Sequence, residues 1–187
     1  EMTSSLVGSE MCIRDRGHVG RFDNAKNQIF LVHIFNELQN YNENSKLILV
    51  GNGKNFEFVK EKVKLLDLEN KVIMTGVRDD VNEILQTFDM FVFPSIYEGL
   101  PVSVIEAQAS GLKCLLSDTV TKEVDITGNV EFMSLEKSPK EWAEKIVSML
   151  PYERKNTQQK IIDAGYDIKS TAEWLTDFYI KLAEKNL

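Results

Sequence analysis

The stretch Phe93-Pro-Ser-Ile-Tyr-Glu-Gly-Leu-Pro-Val-Ser-Val-Ile-Glu106 decides the fold that this chain is expected to adopt. It completes an apolar run, residues 88–93, which is typical of a buried strand. The run stops at Pro94, and Pro101 is predicted to open a helix, where its fixed φ and missing N–H are tolerated. The stretch is therefore predicted to form a strand, a loop and a helix in that order.

Two carboxylates flank the predicted helix start. Glu98 precedes Gly99 in the loop, and Glu106 lies in the helix among small and apolar residues. The N–H groups at a helix N-terminus bind anions, and carboxylates accept hydrogen bonds from hydroxyl groups. The stretch therefore has the chemistry to bind a ligand that carries both phosphates and hydroxyls, as a sugar nucleotide does.

The length and composition suit one well-packed globular domain or an unusually tight pair of domains. The chain has 187 residues, of which 43% are hydrophobic, and no apolar run approaches the roughly 20 residues that span a bilayer. Its net charge of -7 argues against a nucleic-acid partner, because nucleic-acid surfaces are basic. Two cysteines and two histidines supply neither a disulfide framework nor a zinc ligand set, so a reducing cytoplasm is the expected location.

The N-terminal residues have an unusual origin in our interpretation. Residues 10–16, Glu-Met-Cys-Ile-Arg-Asp-Arg, match the translation of GAG ATG TGT ATA AGA GAC AG, the end of a transposase adapter used in sequencing-library preparation. Residues 1–16 are therefore predicted to be a non-native tail, and residues 17–187 the natural domain. The alternative is a natural, irregular N-terminus.

Short apolar runs alternate with amphipathic segments along the rest of the chain. Strands are predicted at residues 18–22, 46–50, 71–74, 88–93, 113–117 and 130–133. Helices are predicted at residues 29–38, 56–66, 81–86, from 101 onward, 139–150, 153–164 and 171–185. This alternation predicts an α/β fold, a doubly wound parallel sheet with a helical C-terminal tail that packs on the sheet or crosses to another domain.

Loops that follow parallel strands meet at one edge of the sheet, where ligands bind. This rule places residues 21–26, 51–53, 76–78 and 95–101 together at that edge. The Gly51-Asn-Gly53 turn does not continue into a dinucleotide-binding G-x-G-x-x-G motif, because Phe56 replaces the third glycine. We interpret these glycines as a tight turn.

Four motifs resemble those of a known family. They are Val19-Gly-Arg-Phe22 with Lys26 downstream, Leu49-Val-Gly-Asn-Gly53, Met74-Thr-Gly76, and Glu98-Gly-Leu-Pro101 through Glu106. On these motifs, residues 17–187 resemble the C-terminal, nucleotide-sugar-binding half of the retaining glycosyltransferases of the GT-B fold, family four (group 1). The two glutamates match the family's E-x7-E pattern, and residues 98–111 are most similar to enzymes that build bacterial capsular or exopolysaccharide.

The resemblance implies roles for individual residues. Arg21 and Lys26 would bind the diphosphate of the donor, and Glu98 would contact the hydroxyls of the donor sugar; these three are the predicted catalytic residues. The predicted donor-binding residues are Gly20, Gly76, Val77, Arg78, Gly99, Leu100, Pro101, Val102 and Glu106. From the residues alone, the alternatives are a solvated helix face for Glu106 and ordinary surface charge for the cations.

The resemblance also implies an activity, the transfer of a sugar from a nucleoside diphosphate donor to a hydroxyl acceptor with retention of configuration. The donor would be a UDP-sugar by family habit, with GDP as the alternative, and no cofactor or metal is expected. An N-terminal domain that carries the acceptor site would be missing from this chain, which is expected to have little activity alone. The full-length enzyme would associate peripherally with the inner face of the membrane. The alternatives are a sugar-nucleotide epimerase of the same fold and a non-catalytic nucleotide-binding domain.

Overall fold

The computed structural model describes residues 15–185, which form one parallel sheet covered by helices on both faces. The strands are β1 Arg16–Val19, β2 Leu47–Val50, β3 Val72–Gly76, β4 Met90–Phe93, β5 Lys113–Ser117 and β6 Val130–Met133. The helices are α1 Gln28–Leu38, α2 Phe56–Leu65, α3 Val81–Thr87, α4 Val102–Ala109, α5 Pro139–Ser148, α6 Gln158–Asp163 and α7 Ile168–Lys185. The strand order β3-β2-β1-β4-β5-β6 confirms the predicted doubly wound α/β fold.

Strand β4 shows why the sheet is buried on both faces. All four of its residues are buried, and alternate side chains point to opposite faces. Met90 and Val92 join the core under α1, α2 and α5, whereas Phe91 and Phe93 join the core under α4 and α6. A continuous apolar run is therefore what this central strand requires.

The first strand begins earlier than predicted, at Arg16, which is in register with Leu47 of β2 and Met90 of β4. The backbone N–H of Asp15 donates to the carboxylate of Asp89 at 2.7 Å. Residues 1–14 of the predicted non-native tail lie outside the described residues. The prediction concerns the origin of residues 1–16, and it stays a prediction.

Two helices begin at residues that differ slightly from the predicted ones. Helix α4 begins at Val102, because Pro101 has an extended ψ of 101° and lies one residue before the first helical turn. Helix α7 begins at Ile168, earlier than predicted, because the Asp167 carboxylate accepts both the N–H and the hydroxyl of Ser170. These bonds satisfy donors of the first turn, which favours helix initiation.

The helix predicted from residue 153 is shortened to α6 because Arg154 binds neighbouring elements instead of solvent. Its guanidinium donates to the carbonyl of Leu85 at 3.3 Å, to the carbonyl of Ser110 at 3.3 Å and to the carbonyl of Phe88. These carbonyls lie at the C-terminal ends of α3 and α4, where the helix leaves acceptors unpaired. Residues 150–157 therefore form an irregular segment that packs on the C-terminal ends of both helices.

The Gly51-Asn-Gly53 segment forms the predicted tight turn and also packs closely against the loop after β1. Gly51 has a φ of 129°, and a Cβ there would lie 2.2 Å from the carbonyl oxygen of Gly20. A Cβ at Gly53 would lie 2.4 Å from the carbonyl oxygen of Phe22. The two glycines therefore allow the loop after β1 to rest directly on the loop after β2. Within residues 15–185, no helix is both long enough and apolar enough to span a membrane.

Candidate functional site

The site is built from the loops that follow β1 and β4, which are adjacent in the sheet. These loops are tied by two hydrogen bonds. The N–H of Ile96 donates to the carbonyl of Ala25 at 2.7 Å, and the amide of Asn27 donates to the carbonyl of Pro94 at 3.1 Å. The polar loops are therefore held against each other at the carboxyl edge of the sheet, as the sequence predicted.

Two of the predicted catalytic residues meet at this edge. The Lys26 ammonium lies 2.5 Å from Oε1 of Glu98, although the two residues are 72 positions apart in sequence. Their side chains are only 18% and 12% exposed. The ammonium also lies 5.4 Å from the centroid of the Phe93 ring, within the range of a cation–π contact. The pair is therefore shielded from water far more than an ordinary surface salt bridge.

Three hydroxyl groups that the sequence analysis did not identify support this pair. The hydroxyl of Ser95 donates to Oε1 of Glu98 at 2.9 Å. The carbonyl of Ser95 in turn accepts the hydroxyls of Ser117 and Thr119, the latter at 2.9 Å. The only sequence signal for this network is the position of small hydroxyl residues at the ends of predicted strands.

His18 is not among the predicted site residues, and it is buried close to the Lys26 side chain. Burial lowers the pKa of His18 to about 4, and the nearby Lys26 charge lowers it in the same direction. Its Nδ1 lies 3.1 Å from the carbonyl of Val92, which can only accept, so Nδ1 carries the proton of a neutral ring. The ring also stacks on Phe93, with 5.2 Å between centroids.

Gly20 leaves room for the Lys26 side chain beside this histidine. A Cβ at Gly20 would lie 3.0 Å from Cε of Lys26 and 3.3 Å from Nε2 of His18. Gln28 fixes the same loop by donating to the carbonyl of Arg21 at 2.9 Å. The Arg21 side chain is exposed, and its guanidinium has no partner among residues 15–185. The structure thus places Arg21 on the loop of Lys26 without joining it to the ion pair.

The start of α4 offers hydrogen-bond donors to an anion. Pro101 occupies the N-cap position and provides no side-chain cap. Within the described chain, the N–H groups of Gly99, Leu100 and Val102 have no acceptor. Gly99 has open space where a Cβ would lie, and its φ is outside the left-handed region, so the fold itself does not require a glycine there. Unpaired donors at a helix N-terminus suit a phosphate.

A second group of predicted residues lies along α3. Val77 and Arg78 follow β3 and line a cleft of about 490 Å³ that also includes Asn82 and Glu83. The same Asn82 and Glu83 line an adjoining cleft of about 340 Å³ that contains Glu106. Glu106 as a whole residue is exposed, but partial desolvation of its carboxyl raises the pKa of that group. Asn82 and Glu83 of α3 therefore line both the cleft of Val77 and Arg78 and the cleft of Glu106.

Arg78 is oriented by a neighbouring acid. Its Nε and Nη2 donate to the two carboxylate oxygens of Asp80 at 2.8 and 2.6 Å. This fork geometry fixes the plane of an exposed guanidinium, and the bonds from Arg78 lower the pKa of Asp80. Among residues 15–185, no group of three or more His, Cys, Asp or Glu side chains is arranged to hold a metal ion.

The doubly wound sheet with a loop-built site at its carboxyl edge defines a Rossmann-like domain. Residues 14–151 match the sequence model of the family described as Glycosyl transferases group 1. This match covers most of the chain, and the chain belongs to that family. The resemblance of the four sequence motifs to group 1 glycosyltransferases is thereby confirmed.

Three bacterial relatives illustrate the family. The chain is 35% identical over 174 residues to EpsF of Bacillus subtilis strain 168, described as a glycosyltransferase, covering 91% of this chain and 45% of the relative. It is 29% identical to the capsular polysaccharide biosynthesis glycosyltransferase CapH of Staphylococcus aureus, covering 87% of this chain and 46% of the relative. It is 24% identical to the UDP-Gal:alpha-D-GlcNAc-diphosphoundecaprenol alpha-1,3-galactosyltransferase of Escherichia coli, covering 88% and 44%.

The fold has solved counterparts. TarM of S. aureus, crystallised as a point mutant with Fondaparinux, alpha-GlcNAc-glycerol and UDP, superposes with a TM-score of 0.72 at 20% identity. The match covers 90% of this chain and 36% of that chain. This likeness confirms the fold. The chain spans about half the length of the curated relatives that it matches.

Proposed function

We propose that this chain is the donor-binding domain of a retaining glycosyltransferase that uses a nucleoside diphosphate sugar. The observation that carries the proposal is the shielded Lys26–Glu98 pair, which lies beside the unpaired N–H groups at the start of α4. A cation and amides suit phosphates, and a carboxylate suits hydroxyls. A UDP-sugar is the donor that we favour, because UDP is present in the TarM complex.

The proposal assigns the diphosphate to Lys26, Arg21 and the N–H groups of Gly99, Leu100 and Val102. When the bond between the anomeric carbon and the phosphate oxygen breaks, the electron pair stays on the departing diphosphate. Fixed cations and amides aimed at that oxygen stabilise the transition state more than the bound donor. Under this proposal, these groups neutralise the leaving group without a metal ion.

Carboxylates and loop residues complete the proposed donor site. Glu98 would accept hydroxyls of the donor sugar, and Glu106 would accept the ribose hydroxyls. The base would lie against the backbone of Gly76, Val77 and Arg78. The two clefts that share Asn82 and Glu83 support this arrangement, because Val77 and Arg78 line one of them and Glu106 lines the other.

The acceptor site is proposed to lie in a further domain of the full-length protein. The chain spans about half the length of its curated relatives, and α7 exposes a large apolar face. Its Trp174, Phe178 and Tyr179 are 64%, 46% and 63% exposed, and such patches mark interaction surfaces. We therefore expect this chain alone to bind nucleotide and to transfer little sugar.

The biological setting is also a proposal. The name of the Escherichia coli relative specifies a sugar acceptor linked to diphosphoundecaprenol, and that of CapH specifies capsular polysaccharide biosynthesis. We place this protein in bacterial polysaccharide biosynthesis, in the cytoplasm at the inner face of the membrane. Transfer of labelled sugar to a lipid-linked acceptor by the full-length enzyme, with membrane co-sedimentation, tests both parts.

Calorimetric titration of UDP and GDP into this chain tests the donor site. The Lys26→Ala and Glu106→Ala variants should each lose nucleotide binding, because one removes a phosphate contact and the other a ribose contact. Lys60→Ala and Glu57→Ala are matched controls on the exposed face of α2, and they should bind as the wild type does. Unchanged nucleotide affinity in both site variants would refute the assignment.

A further inference from the structure

We propose that Ser95 is a positioning residue for Glu98, so that one oxygen of this carboxylate is anchored and the other is presented to the donor sugar. The inference rests on the proposed function, which assigns Glu98 to the sugar hydroxyls. Ser95 lies two residues after the end of β4 and is completely buried. Its hydroxyl is therefore shielded from solvent and committed to partners within the protein.

Both donors that hold Glu98 bind the same oxygen. Lys26 Nζ lies 2.5 Å from Oε1, and the Ser95 hydroxyl lies 2.9 Å from Oε1. Among the described residues, no group donates to Oε2. A carboxylate oxygen accepts up to two hydrogen bonds, so Oε1 is saturated and Oε2 keeps its full capacity for hydroxyl donors.

The orientation of Ser95 is set from the neighbouring strand. Its carbonyl accepts the Ser117 hydroxyl and, at 2.9 Å, the Thr119 hydroxyl, so both lone pairs of that oxygen are used. Ser117 is the last residue of β5, which is paired with β4. The Ser95 peptide is thereby fixed to the rigid sheet, and its hydroxyl has a defined direction toward Glu98.

Lys26 alone does not fix the orientation of the Glu98 carboxylate. An ammonium on a flexible stem has three rotatable donors and follows the carboxylate if it turns. Loss of the Ser95 hydroxyl should therefore free Glu98 to rotate while the positive charge on Lys26 remains for the diphosphate. The expected signature is weaker recognition of the sugar with unchanged recognition of the nucleotide.

The test compares dissociation constants for UDP and for UDP-glucose, UDP-galactose and UDP-N-acetylglucosamine, measured by calorimetry on the whole chain. The quantity compared is the dissociation constant of the tightest-binding UDP-sugar divided by the dissociation constant of UDP. Ser95→Ala should raise this ratio about tenfold, which is the effect expected when a hydrogen bond to a charged group is lost. The constant for UDP itself should stay within about twofold, since a tenfold change corresponds to losing one such bond. Ser45→Ala, which removes another buried hydroxyl that donates at 2.8 Å to the carbonyl of Asn42, is the matched control and should change neither constant.

A double variant separates positioning from general damage to the fold. Glu98→Gln should raise the same ratio, and Ser95→Ala should add nothing in that background. If Glu98→Gln changes the ratio and Ser95→Ala does not, the role of Ser95 is overturned and the proposed function stands. If wild type binds neither UDP nor GDP, or Glu98→Gln leaves the ratio unchanged, the proposed function fails, and the role of Ser95 fails with it.

Should Ser95→Ala not fold, Thr119→Val provides the second variant. It removes one of the two hydroxyls on the Ser95 carbonyl at an exposed position and keeps the shape of the side chain. Thr119→Val should raise the ratio of the two dissociation constants about threefold. This effect is smaller than that of Ser95→Ala, because the hydrogen bond to the charged Glu98 carboxylate is kept. An unchanged ratio in a folded Thr119→Val protein would overturn the inference.

Discussion

Removal of the Lys26 ammonium should destabilise the fold as well as the proposed site. In Lys26→Met the stem is kept, and the Glu98 carboxylate, only 12% exposed, is left with the Ser95 hydroxyl as its one partner among residues 15–185. Exposed ion pairs contribute at most about 1 kcal/mol, whereas breaking a fully buried pair costs about 3–5 kcal/mol. This pair lies between those limits, and we expect a loss of about 2 kcal/mol in the free energy of unfolding.

The interaction itself is measured by a double-variant cycle. Urea unfolding of wild type, Lys26→Met, Glu98→Gln and the double variant should give a coupling energy of about 1–2 kcal/mol that changes little with added salt, because the pair is shielded. The same cycle on Lys60 and Glu57 is the control, since both side chains are well exposed and 4.0 Å apart. A coupling energy for Lys26 and Glu98 no larger than that of the control would refute the reasoning.

Three further predictions concern single positions. Since the pKa of His18 falls from an ordinary 6.5 to about 4 in the fold, the unfolded chain binds one more proton between these values. The free energy of unfolding should therefore drop by about 3 kcal/mol as the pH falls from 6.5 to 4, and His18→Phe should flatten this slope in urea titrations. Gly99→Ala should leave the melting temperature unchanged or slightly raised yet weaken UDP binding in calorimetry, because its Cβ enters open space beside the unpaired amides. Arg154→Met should cost about 2–3 kcal/mol in urea unfolding, because it leaves the carbonyls at the ends of α3 and α4 without their donor.

Each of these three predictions has either a result that would contradict it or a control variant. An unchanged pH slope in His18→Phe would mean that the histidine is not buried as a neutral ring. Gly51→Ala is the contrast to Gly99→Ala, since its Cβ would lie 2.2 Å from a carbonyl oxygen at a φ of 129°, and it should melt at a markedly lower temperature. Wild-type stability in Arg154→Met would contradict the claim that the Arg154 guanidinium stabilises the C-terminal ends of α3 and α4.

The local pattern of the sequence determined the class of fold and the edge that carries the site. Short runs that follow Gly111 and Gly128 predicted β5 and β6 with their observed bounds. The alternation of apolar runs with amphipathic segments also placed the loops of Lys26 and Glu98 at the carboxyl ends of parallel strands. This much is predictable because periodicity and turn residues report burial and chain direction over a few neighbouring positions.

Only the tertiary structure decided which side chains meet. The sheet order places β4 between β1 and β5, so Lys26 reaches Glu98 across 72 positions and Ser117 reaches Ser95 across 22. Strand order and loop docking depend on packing between distant segments, and one sequence contains no local signal for them. The sequence therefore showed that a cation and a carboxylate line one edge. The structure decided that they form a shielded pair with one carboxylate oxygen held and the other open.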